Sequence, residues 1–398
     1  MSLSQDLAPI LDVVKRTDPS FATVDPKLII SNIEDASRHA SQNAKDRFLL
    51  SAMRLLALSG NGHTRLIPNG AIFVLPLRFV TIGRSVFLTK TSVPLAELAP
   101  CKLIAVNGVP VERIEHAAAC LLAGTSQRKR VIGPLLFAWP AALDHLGCAP
   151  IGDETQYQFQ YADGRTASAK VLISDAVPAS EFYPRNEHGQ VDPVWNFNGF
   201  AEIHDYAKDG LAVKLPSFFD PDERAFPDAI DRAAKWVRSR RDRFLVVDVR
   251  GNTGGNFLVA MPLIEAITES AQKFGCAVLV DKFTFSAAIV FVAILRYRLG
   301  RKLQIVGEDM GDGLRFFAEG GLIELPTSGA VIRYSTALHD WETGLADQTT
   351  PPEIARQLVP VRQLNVDRDW ISTPFDTTPQ EILYKKLIKD LADPVNGS

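Results

Sequence analysis

The sequence predicts an α/β protein with an N-terminal helical segment, a β-rich middle and an alternating C-terminal half. Residues 1–59 of the 398-residue chain carry apolar side chains at helical spacing, and the pattern then changes to a period of two residues. In the C-terminal half, strands alternate with helices, which is typical of a largely parallel sheet whose ligands gather at the carboxyl ends of its strands. We predict three domains, over residues 1–68, 69–180 and 195–390.

The predicted elements of the N-terminal half follow from these patterns. Two helices precede the turn GNGHT, in DPKLIISNIEDASRHA and AKDRFLLSAMRLLALSG, and three strand regions follow it, in AIFVLPLRFV, RSVFLTK and KLIAVNGVPV. The NG pair predicts a tight turn, and the DG pair predicts a hairpin over residues 156–173. Residues 174–195, which contain prolines and charges, are predicted to form a linker.

The predicted elements of the C-terminal half alternate in type. The strands are GLAVKLPSF, RFLVVDVR, CAVLVD and LQIVG, and the helices are FPDAIDRAAKWVRSRR, MPLIEAITESAQKFG and SAAIVFVAILRYRLG. The turn GNTGGN follows the second of these strands, and the loop KFTF follows the third.

Composition excludes several classes of partner. The chain is 46% hydrophobic and 22% charged, with a net charge of −3. This balance gives no reason to expect nucleic acid or an anionic membrane as a partner, and the basic stretch at residues 238–243 fits a solvated helix end. No segment approaches the roughly 18 apolar residues that span a bilayer. The N-terminus lacks a signal-peptide pattern, so the chain as given is expected to be cytoplasmic, or exported only if a leader has been removed.

The four cysteines show no metal-site or disulfide pattern. Cys101, Cys120, Cys148 and Cys276 are widely spaced, without a CxxC pair. We expect Cys276, which opens the apolar run CAVLVD, to be buried as a small hydrophobic residue.

One of the seven histidines lies in the glycine-rich turn GNGHT at residues 60–64. A loop histidine flanked by glycine is expected to have little side-chain packing around it and to approach other groups closely. His63 is therefore a candidate for catalysis or ligand binding, and the alternative is an ordinary surface turn.

The segment LVVDVRGNTGGN places Gly254 and Gly255 between a buried strand and a helix. Glycines in this position expose backbone N–H groups that stabilise negative charge, either on a phosphate or on an oxyanion. No GxxxxGK[ST] or GxGxxG pattern is present, which disfavours a nucleotide site. The alternative is a glycine turn needed for helix–sheet packing.

Ser286 lies where the next helix of the alternating region begins, followed by Ala287 and Ala288. A serine in this position often caps the helix. A nucleophile in the same position needs a base and an anion hole nearby. The glycine turn of the preceding strand and the free N–H of Ala287 supply candidate donors, and a loop histidine is a candidate base.

The motifs GNGHTRL, LVVDVRGNTGGN and FTFSAA, in this order, resemble those of the tail-specific or C-terminal-processing serine peptidases, which include the tricorn protease core. The resemblance extends from about residue 45 to residue 390. It implies a crotonase-like (ClpP-like) α/β catalytic domain and a PDZ-like module in the β-rich middle, with KLIAVNGVPVERI as the usual carboxyl-side stretch of that module.

Members of this family activate the serine with either a lysine or a histidine. The stretch comparable with the lysine motif is the acidic IVGEDMGDG, and Lys302 follows the helix at a poor position. The resemblance therefore implies the histidine-dependent branch, with His63 as general base and Gly254, Gly255 and Ala287 as the oxyanion hole.

The acid that orients the histidine is less closely defined. Glu342 fits the glutamate of the histidine branch, and Asp340 and Asp347 are competitors. Two positions depart from the family pattern, because Gly62 stands where tricorn-type sites have serine and Ile289 where relatives often have an acid.

The predicted function is that of a serine endopeptidase that hydrolyses peptides or unfolded proteins, with no metal or organic cofactor. The first alternative is a non-catalytic ligand- or peptide-binding protein on the same scaffold, because the family includes retinoid-binding relatives. A third class, acyl-CoA chemistry on a crotonase-like fold, shares the anion hole but needs neither Ser286 nor His63.

Overall fold

The computed structural model describes most of the chain. The described residues are 2–68, 72–91, 100–182, 200–206, 210–220, 224–240, 242–371 and 379–392. They divide into two compact units, of which unit 1 comprises Met1–Pro184 and Phe316–Leu338, and unit 2 comprises Arg185–Arg315 and His339–Ser398.

The helices and strands are numbered in chain order. The helices are α1 Ser4–Asp12, α2 Pro26–Ser41, α3 Lys45–Ala57, α4 Val111–Ala118, α5 Ser126–Ile132, α6 Pro140–His145, α7 Ala179–Phe182, α8 Ala225–Arg238, α9 Met261–Phe274, α10 Ala287–Leu299, α11 Pro352–Ala355 and α12 Gln380–Ala392. The strands are β1 Arg65–Ile67, β2 Phe73–Val74, β3 Leu77–Ile82, β4 Ser85–Thr91, β5 Cys101–Val106, β6 Val109–Pro110, β7 Glu154–Gln160, β8 Thr166–Leu172, β9 Val177–Pro178, β10 Glu202–Asp205, β11 Leu211–Lys214, β12 Leu245–Asp248, β13 Cys276–Val280, β14 Leu303–Gly307, β15 Arg315–Ala318, β16 Leu322–Glu324, β17 Val331–Arg333, β18 Ala337–Asp340 and β19 Arg368–Asp369.

Unit 1 combines the N-terminal helices with antiparallel sheets. Its largest sheet has the order β3-β4-β5-β7-β8, with β6 paired to β5. A second sheet, β1-β17-β16, joins the strand after the histidine turn to strands that lie more than 250 positions later in the chain, as in the pair Leu66–Ile332. One hydrophobic core, which includes the fully buried Phe48 and Trp139, contains residues of both the helical segment and the sheets.

Unit 2 contains a six-stranded sheet with the order β10-β11-β12-β13-β14-β19. The pairs from β11 to β19 are parallel, and β10 is antiparallel to β11. All residues of β12 and β13 are buried, as expected for strands covered on both faces. Consequently the carboxyl ends of β12 and β13 lie side by side, and the turn GNTGGN and the loop before Ser286 both leave the sheet at this edge.

The structure confirms most of the predicted elements. The predicted helices and strands of both halves are present, the DG pair connects β7 to β8, and Cys276 is buried. The predicted linker is wrong for residues 174–182, because β9 pairs with β2 and α7 follows; its remainder lies outside the described residues. Residues 1–68 and 69–180 fall in one compact unit, so the three domain boundaries stay a prediction based on sequence.

No helix within the described ranges is long and apolar enough to cross a membrane.

Candidate active site

Ser286 has a backbone conformation that is rare for a residue with a side chain. It lies between β13 and α10 with φ 57° and ψ −126°. Left-handed φ values in non-glycine residues are strained and persist where the surrounding structure enforces them. Nucleophilic serines on strand–turn–helix connections occupy such strained turns, which present the hydroxyl to the substrate.

The Ser286 hydroxyl does not cap α10. The helix has no side-chain capping hydrogen bond at its N-terminus, and the serine is half-buried. The interpretation of Ser286 as an ordinary N-cap is therefore wrong, because that role requires its oxygen to accept a backbone N–H of the first turn.

The glycine turn approaches Ser286 closely. A Cβ atom on Gly254 would lie 2.7 Å from Ser286 Cβ, and one on Gly255 would lie 1.9 Å from the carbonyl oxygen of Phe218. Both glycines also have positive φ, of 105° and 131°. Only residues without a side chain fit at these two positions, because both the space and the backbone conformation exclude a Cβ.

The N–H groups of the two glycines have different surroundings. Gly254 N–H donates to Oδ1 of Asn252 at 2.9 Å, so it is engaged within the turn itself. Gly255 forms a parallel bridge with Phe218 through its two neighbours, because Phe218 N–H donates to Gly254 O and Asn256 N–H donates to Phe218 O. Within the described residues, the Gly255 N–H donates no hydrogen bond.

A second uncommitted donor follows the serine. Ala287 is the first residue of α10, and N–H groups in the first turn of a helix have no acceptor inside the helix. Its N–H has no acceptor among the described residues, whereas those of Ile289 and Val290 donate to Ser286 O. Gly255 and Ala287 are thus the predicted oxyanion donors whose N–H groups are uncommitted.

Side-chain acceptors hold the turn that carries the glycines. Asp248, at the end of β12, accepts the Arg250 N–H at 3.0 Å and the Arg250 guanidinium at 2.9 and 2.6 Å. Burial alone would raise the pKa of Asp248, but the charge and hydrogen bonds of Arg250 and the hydroxyl of Tyr384 hold it below its usual range. Asn252 is fully buried and donates from Nδ2 to Leu215 O at 2.9 Å.

Lys302, the candidate of the lysine branch, and Lys282, four positions before Ser286, are both engaged elsewhere. Lys302 Nζ donates to Gln272 O at 2.7 Å on the surface. Lys282 is buried and lies 3.7 Å from Glu308, in the acidic stretch that follows β14.

His63 lies in unit 1 in a closely packed turn. Its side chain is 1% exposed and its ring stacks on Phe316 with a centroid distance of 5.0 Å. The expectation of little side-chain packing around His63 is therefore wrong, and the turn is not an ordinary surface turn. Phe316, which is distant in sequence, provides the ring against which His63 packs.

Two neighbours of His63 fix the turn by buried hydrogen bonds. Asn61 Nδ2 donates to the carbonyl oxygen of Phe317 at 3.0 Å and to Ser335 Oγ at 2.9 Å. Thr64 Oγ1 donates to Asp18 Oδ2 at 2.6 Å. The GNGHT motif is thus tied to segments that are distant in sequence.

The three candidate acids, all in unit 2, differ in their surroundings. Asp340 is buried, lies 3.4 Å from the Arg315 guanidinium and accepts the Thr343 N–H. Asp347 is exposed and accepts from Thr349 and Thr350 in its own turn; slight burial raises its pKa, but these hydrogen bonds hold it below its usual value. Asp347 thus fits a solvated loop carboxylate.

Glu342 is exposed at a polar cleft of unit 2. The cleft has a volume of about 650 Å³ and is lined by Glu342, Thr343, Pro360, Val361, Arg362 and Gln363. The backbone beside it is fixed, because the Arg362 N–H donates to Glu342 O at 3.0 Å.

Within the described ranges, no group of three or more His, Cys, Asp or Glu side chains is placed to bind a metal ion.

The fold is similar to that of several solved structures. A CPAF point mutant matches with a TM-score of 0.59 at 12% identity, over 100% of this chain and 98% of that chain. Mature CPAF complexed with lactacystin matches with a TM-score of 0.56 at 12% identity, over 98% and 97% of the two chains. A photosystem II D1 C-terminal processing protease matches at 14% identity over 99% of this chain and 98% of that chain, with a lower TM-score of 0.40.

This chain therefore has the α/β fold of those structures over nearly its whole length. At 12% identity, these two matches show the fold alone. No protein-family model matches the sequence, and no curated protein does.

Proposed function

We propose that the chain is a serine-type peptidase with Ser286 as its nucleophile. The observation that carries this proposal is the strained Ser286 conformation at the start of α10, with a hydroxyl that does not cap the helix. Two of the three positions predicted for an oxyanion hole, Gly255 and Ala287, have N–H groups that donate no hydrogen bond within the described residues. A donor of this kind stabilises the developing charge of a tetrahedral intermediate by about 2.7–4 kcal/mol.

In the proposed mechanism, His63 accepts the proton of Ser286 as the hydroxyl attacks the peptide carbonyl, and later donates it to the leaving amine. Gly255 and Ala287 donate to the oxyanion, and Gly254 permits the close approach of the turn to Ser286. The sequence predicts Gly254 as a third oxyanion donor. Because its N–H already donates to Asn252, we propose only Gly255 and Ala287 as donors.

We further propose Glu342 as the acid that orients His63. Glu342 is exposed and lines an open cleft, whereas Asp347 accepts hydrogen bonds within its own turn and Asp340 lies beside Arg315. The mechanism uses no metal or organic cofactor.

The proposal also assigns a fold type to the largest sheet of each unit and a class of substrate to the protein. We assign the six-stranded sheet of unit 2 to the crotonase-like type and the β3–β8 sheet of unit 1 to the PDZ-like type. Peptides or unfolded proteins are the proposed substrates, in line with the resemblance of the three sequence motifs to those of the C-terminal-processing peptidases.

Replacement of the proposed nucleophile tests this function. Ser286→Ala is expected to lower hydrolysis of an unfolded protein substrate by several orders of magnitude, because loss of the nucleophile removes the covalent pathway. The melting temperature should stay close to that of the wild type, because the hydroxyl makes no capping bond. Both quantities are measured on purified protein, by release of labelled fragments and by thermal unfolding.

A matched control separates this effect from a general effect of serine replacement. Ser239 lies at the C-terminus of α8, which leads into the opposite end of β12, and its hydroxyl donates to Trp236 O. Ser239→Ala should hydrolyse at the wild-type rate. Equal turnover by the Ser286→Ala and wild-type proteins would contradict the proposal, and no turnover by the wild type would favour the non-catalytic binding protein.

A further inference from the structure

A buried carboxylate connects the two backbone segments beside Ser286. Asp281 directly follows β13, and its Oδ1 accepts the N–H groups of Phe283 and Thr284 at 3.0 Å in the loop that leads to the serine. The same oxygen accepts the N–H of Gly251 at 3.0 Å, in the turn that carries Gly255. One oxygen atom thus holds N–H groups from the ends of two neighbouring strands.

The second oxygen of Asp281 has a different environment. Oδ2 is buried and accepts no hydrogen bond from any described residue. The side chain as a whole is 1% exposed. The connection that Asp281 makes between the two segments therefore depends on Oδ1.

Further contacts fix this loop. The Thr284 hydroxyl accepts the Asp281 N–H at 3.0 Å and lies 3.2 Å from both Asp281 Oδ1 and Val249 O. Phe285 N–H donates to Asn252 O at 3.0 Å. Asp281 is the side chain whose single oxygen receives donors from both segments, so its loss removes the link at Gly251 and loosens the loop against the turn.

We propose that Asp281 is a positioning residue that holds the Ser286 loop and the Gly251–Gly255 turn in the register that catalysis requires. The proposal rests on the proposed function of Ser286. Oxyanion donors act only when they lie within hydrogen-bond distance of the developing charge, and a displacement of about 1 Å can lower a rate by about 100-fold. Asp281 touches neither substrate nor reacting atoms and acts through the backbone N–H groups that it accepts.

Two substitutions separate hydrogen-bond acceptance from other roles of Asp281. Asp281→Asn keeps a carbonyl oxygen in the place of Oδ1, so its rate of labelling by a fluorophosphonate probe at Ser286 should stay within a few-fold of the wild type. Asp281→Ala removes the acceptor, and its labelling rate should fall roughly 100-fold. With a peptide substrate, kcat should fall in Asp281→Ala while KM changes little, because the reacting groups rather than the binding surface are displaced.

Control measurements keep the test independent of folding. Asp242, in the same unit, has a side chain that is 75% exposed, and Asp242→Ala should label at the wild-type rate. If Asp281→Ala does not unfold cooperatively, Asp281→Ser takes its place, because a side chain one atom shorter cannot reach the three N–H groups together; the same loss is expected.

The outcomes distinguish this inference from the proposed function. Failure of the wild-type protein to label at Ser286 contradicts the proposed function itself. Labelling of the wild type with equally fast labelling of a folded Asp281→Ala contradicts the inference alone. A folded Asp281→Asn that loses labelling also contradicts it, because the charge rather than the acceptor would then be required.

Discussion

Burial of Asp281 affects how the free energy of unfolding depends on pH. Burial raises the pKa of Asp281 above its usual value, although the Gly251 N–H and the charges of Arg250 and Lys282 oppose that rise. A carboxyl group with a raised pKa binds its proton more tightly in the folded protein than in the unfolded chain. The ionised group therefore lowers the free energy of unfolding, and this effect grows as the pH rises from the unfolded pKa, about 3.9, through the folded pKa.

We predict that Asp281→Asn gains stability relative to the wild type as the pH rises through this range. Asparagine does not ionise, so the variant lacks the cost of the buried charge. Other effects of the substitution on the free energy of unfolding are expected to be the same at every pH. Denaturant unfolding at a series of pH values measures the difference, with the exposed Asp242→Asn as the control, for which a flat difference is expected. A relative loss of stability with rising pH would show that the ionised Asp281 is favoured in the folded protein.

At this scale the sequence predicts positions better than roles. It predicts Ser286 at a helix start and two glycines after a strand, because these features follow local patterns. It does not predict the φ of Ser286, the bond from Gly254 to Asn252, or the part played by Asp281. These three features depend on contacts between atoms of neighbouring strands. The position of Asp281 at the carboxyl end of a strand is the one sequence signal that could have identified it as a site residue.

At the scale of elements, the last helix is linked to the turn that carries Gly255. Tyr384 of α12 is fully buried, and its hydroxyl donates to Asp248 Oδ2 at 2.7 Å. The other oxygen of Asp248 accepts the N–H of Arg250, and the Arg250 guanidinium lies 5.1 Å from the centre of the Trp370 ring. The C-terminal helix thus contributes to the fixed geometry at the end of β12.

We predict that Tyr384→Phe lowers the free energy of unfolding by about 1.5–3 kcal/mol, the usual contribution of a hydrogen bond to a charged group. The substitution removes a donor that helps to hold the pKa of Asp248 low, so the loss should be largest at neutral pH and smaller in acid. Chemical denaturation at pH 7 and in acid measures both effects.

A neighbouring tyrosine provides the control for this prediction. Tyr206 packs in the same hydrophobic cluster as Tyr384, but its hydroxyl is buried without a hydrogen-bond partner among the described residues. Tyr206→Phe should therefore cause little loss of stability. A similar loss in both variants would show that the bond to Asp248 does not stabilise unit 2.

Most predicted elements follow from sequence periodicity, but some observed elements are absent from the prediction. The buried strands of unit 2 are recognisable in the sequence as continuous apolar runs, which are typical of a parallel sheet covered on both faces. α12 is absent from the predicted elements although Tyr384, Leu387, Ile388 and Leu391 form part of its buried face. The two-residue strand β9, which pairs with β2, is absent as well, because so short a strand carries no periodic pattern.

For the molecule as a whole, chain order does not reveal which segments fold together. Residues 316–338 return to unit 1, where β17 pairs with β1. In the same unit, buried Asp6 accepts the N–H groups of Thr327 and Ser328. Contacts between segments so distant in sequence leave no local pattern, so the sequence-based domain boundaries could not include this return of the chain.

The proposed mechanism joins His63, a residue of unit 1, with Ser286 and Glu342, residues of unit 2, in one reaction. If His63 is the base that activates Ser286, removal of its imidazole should abolish the nucleophilicity of the serine without removing the serine. The reaction should also slow as the pH falls through the range in which histidines become protonated, because an imidazolium cannot accept a proton.

The most direct test is therefore covalent labelling of the wild-type protein and of His63→Ala with a fluorophosphonate probe, followed by peptide mapping. We predict that the wild type is labelled at Ser286, that labelling slows between pH 8 and pH 5 as expected for a histidine base, and that His63→Ala is not labelled. Undiminished labelling of His63→Ala, or labelling of the wild type at a residue other than Ser286, would contradict the account.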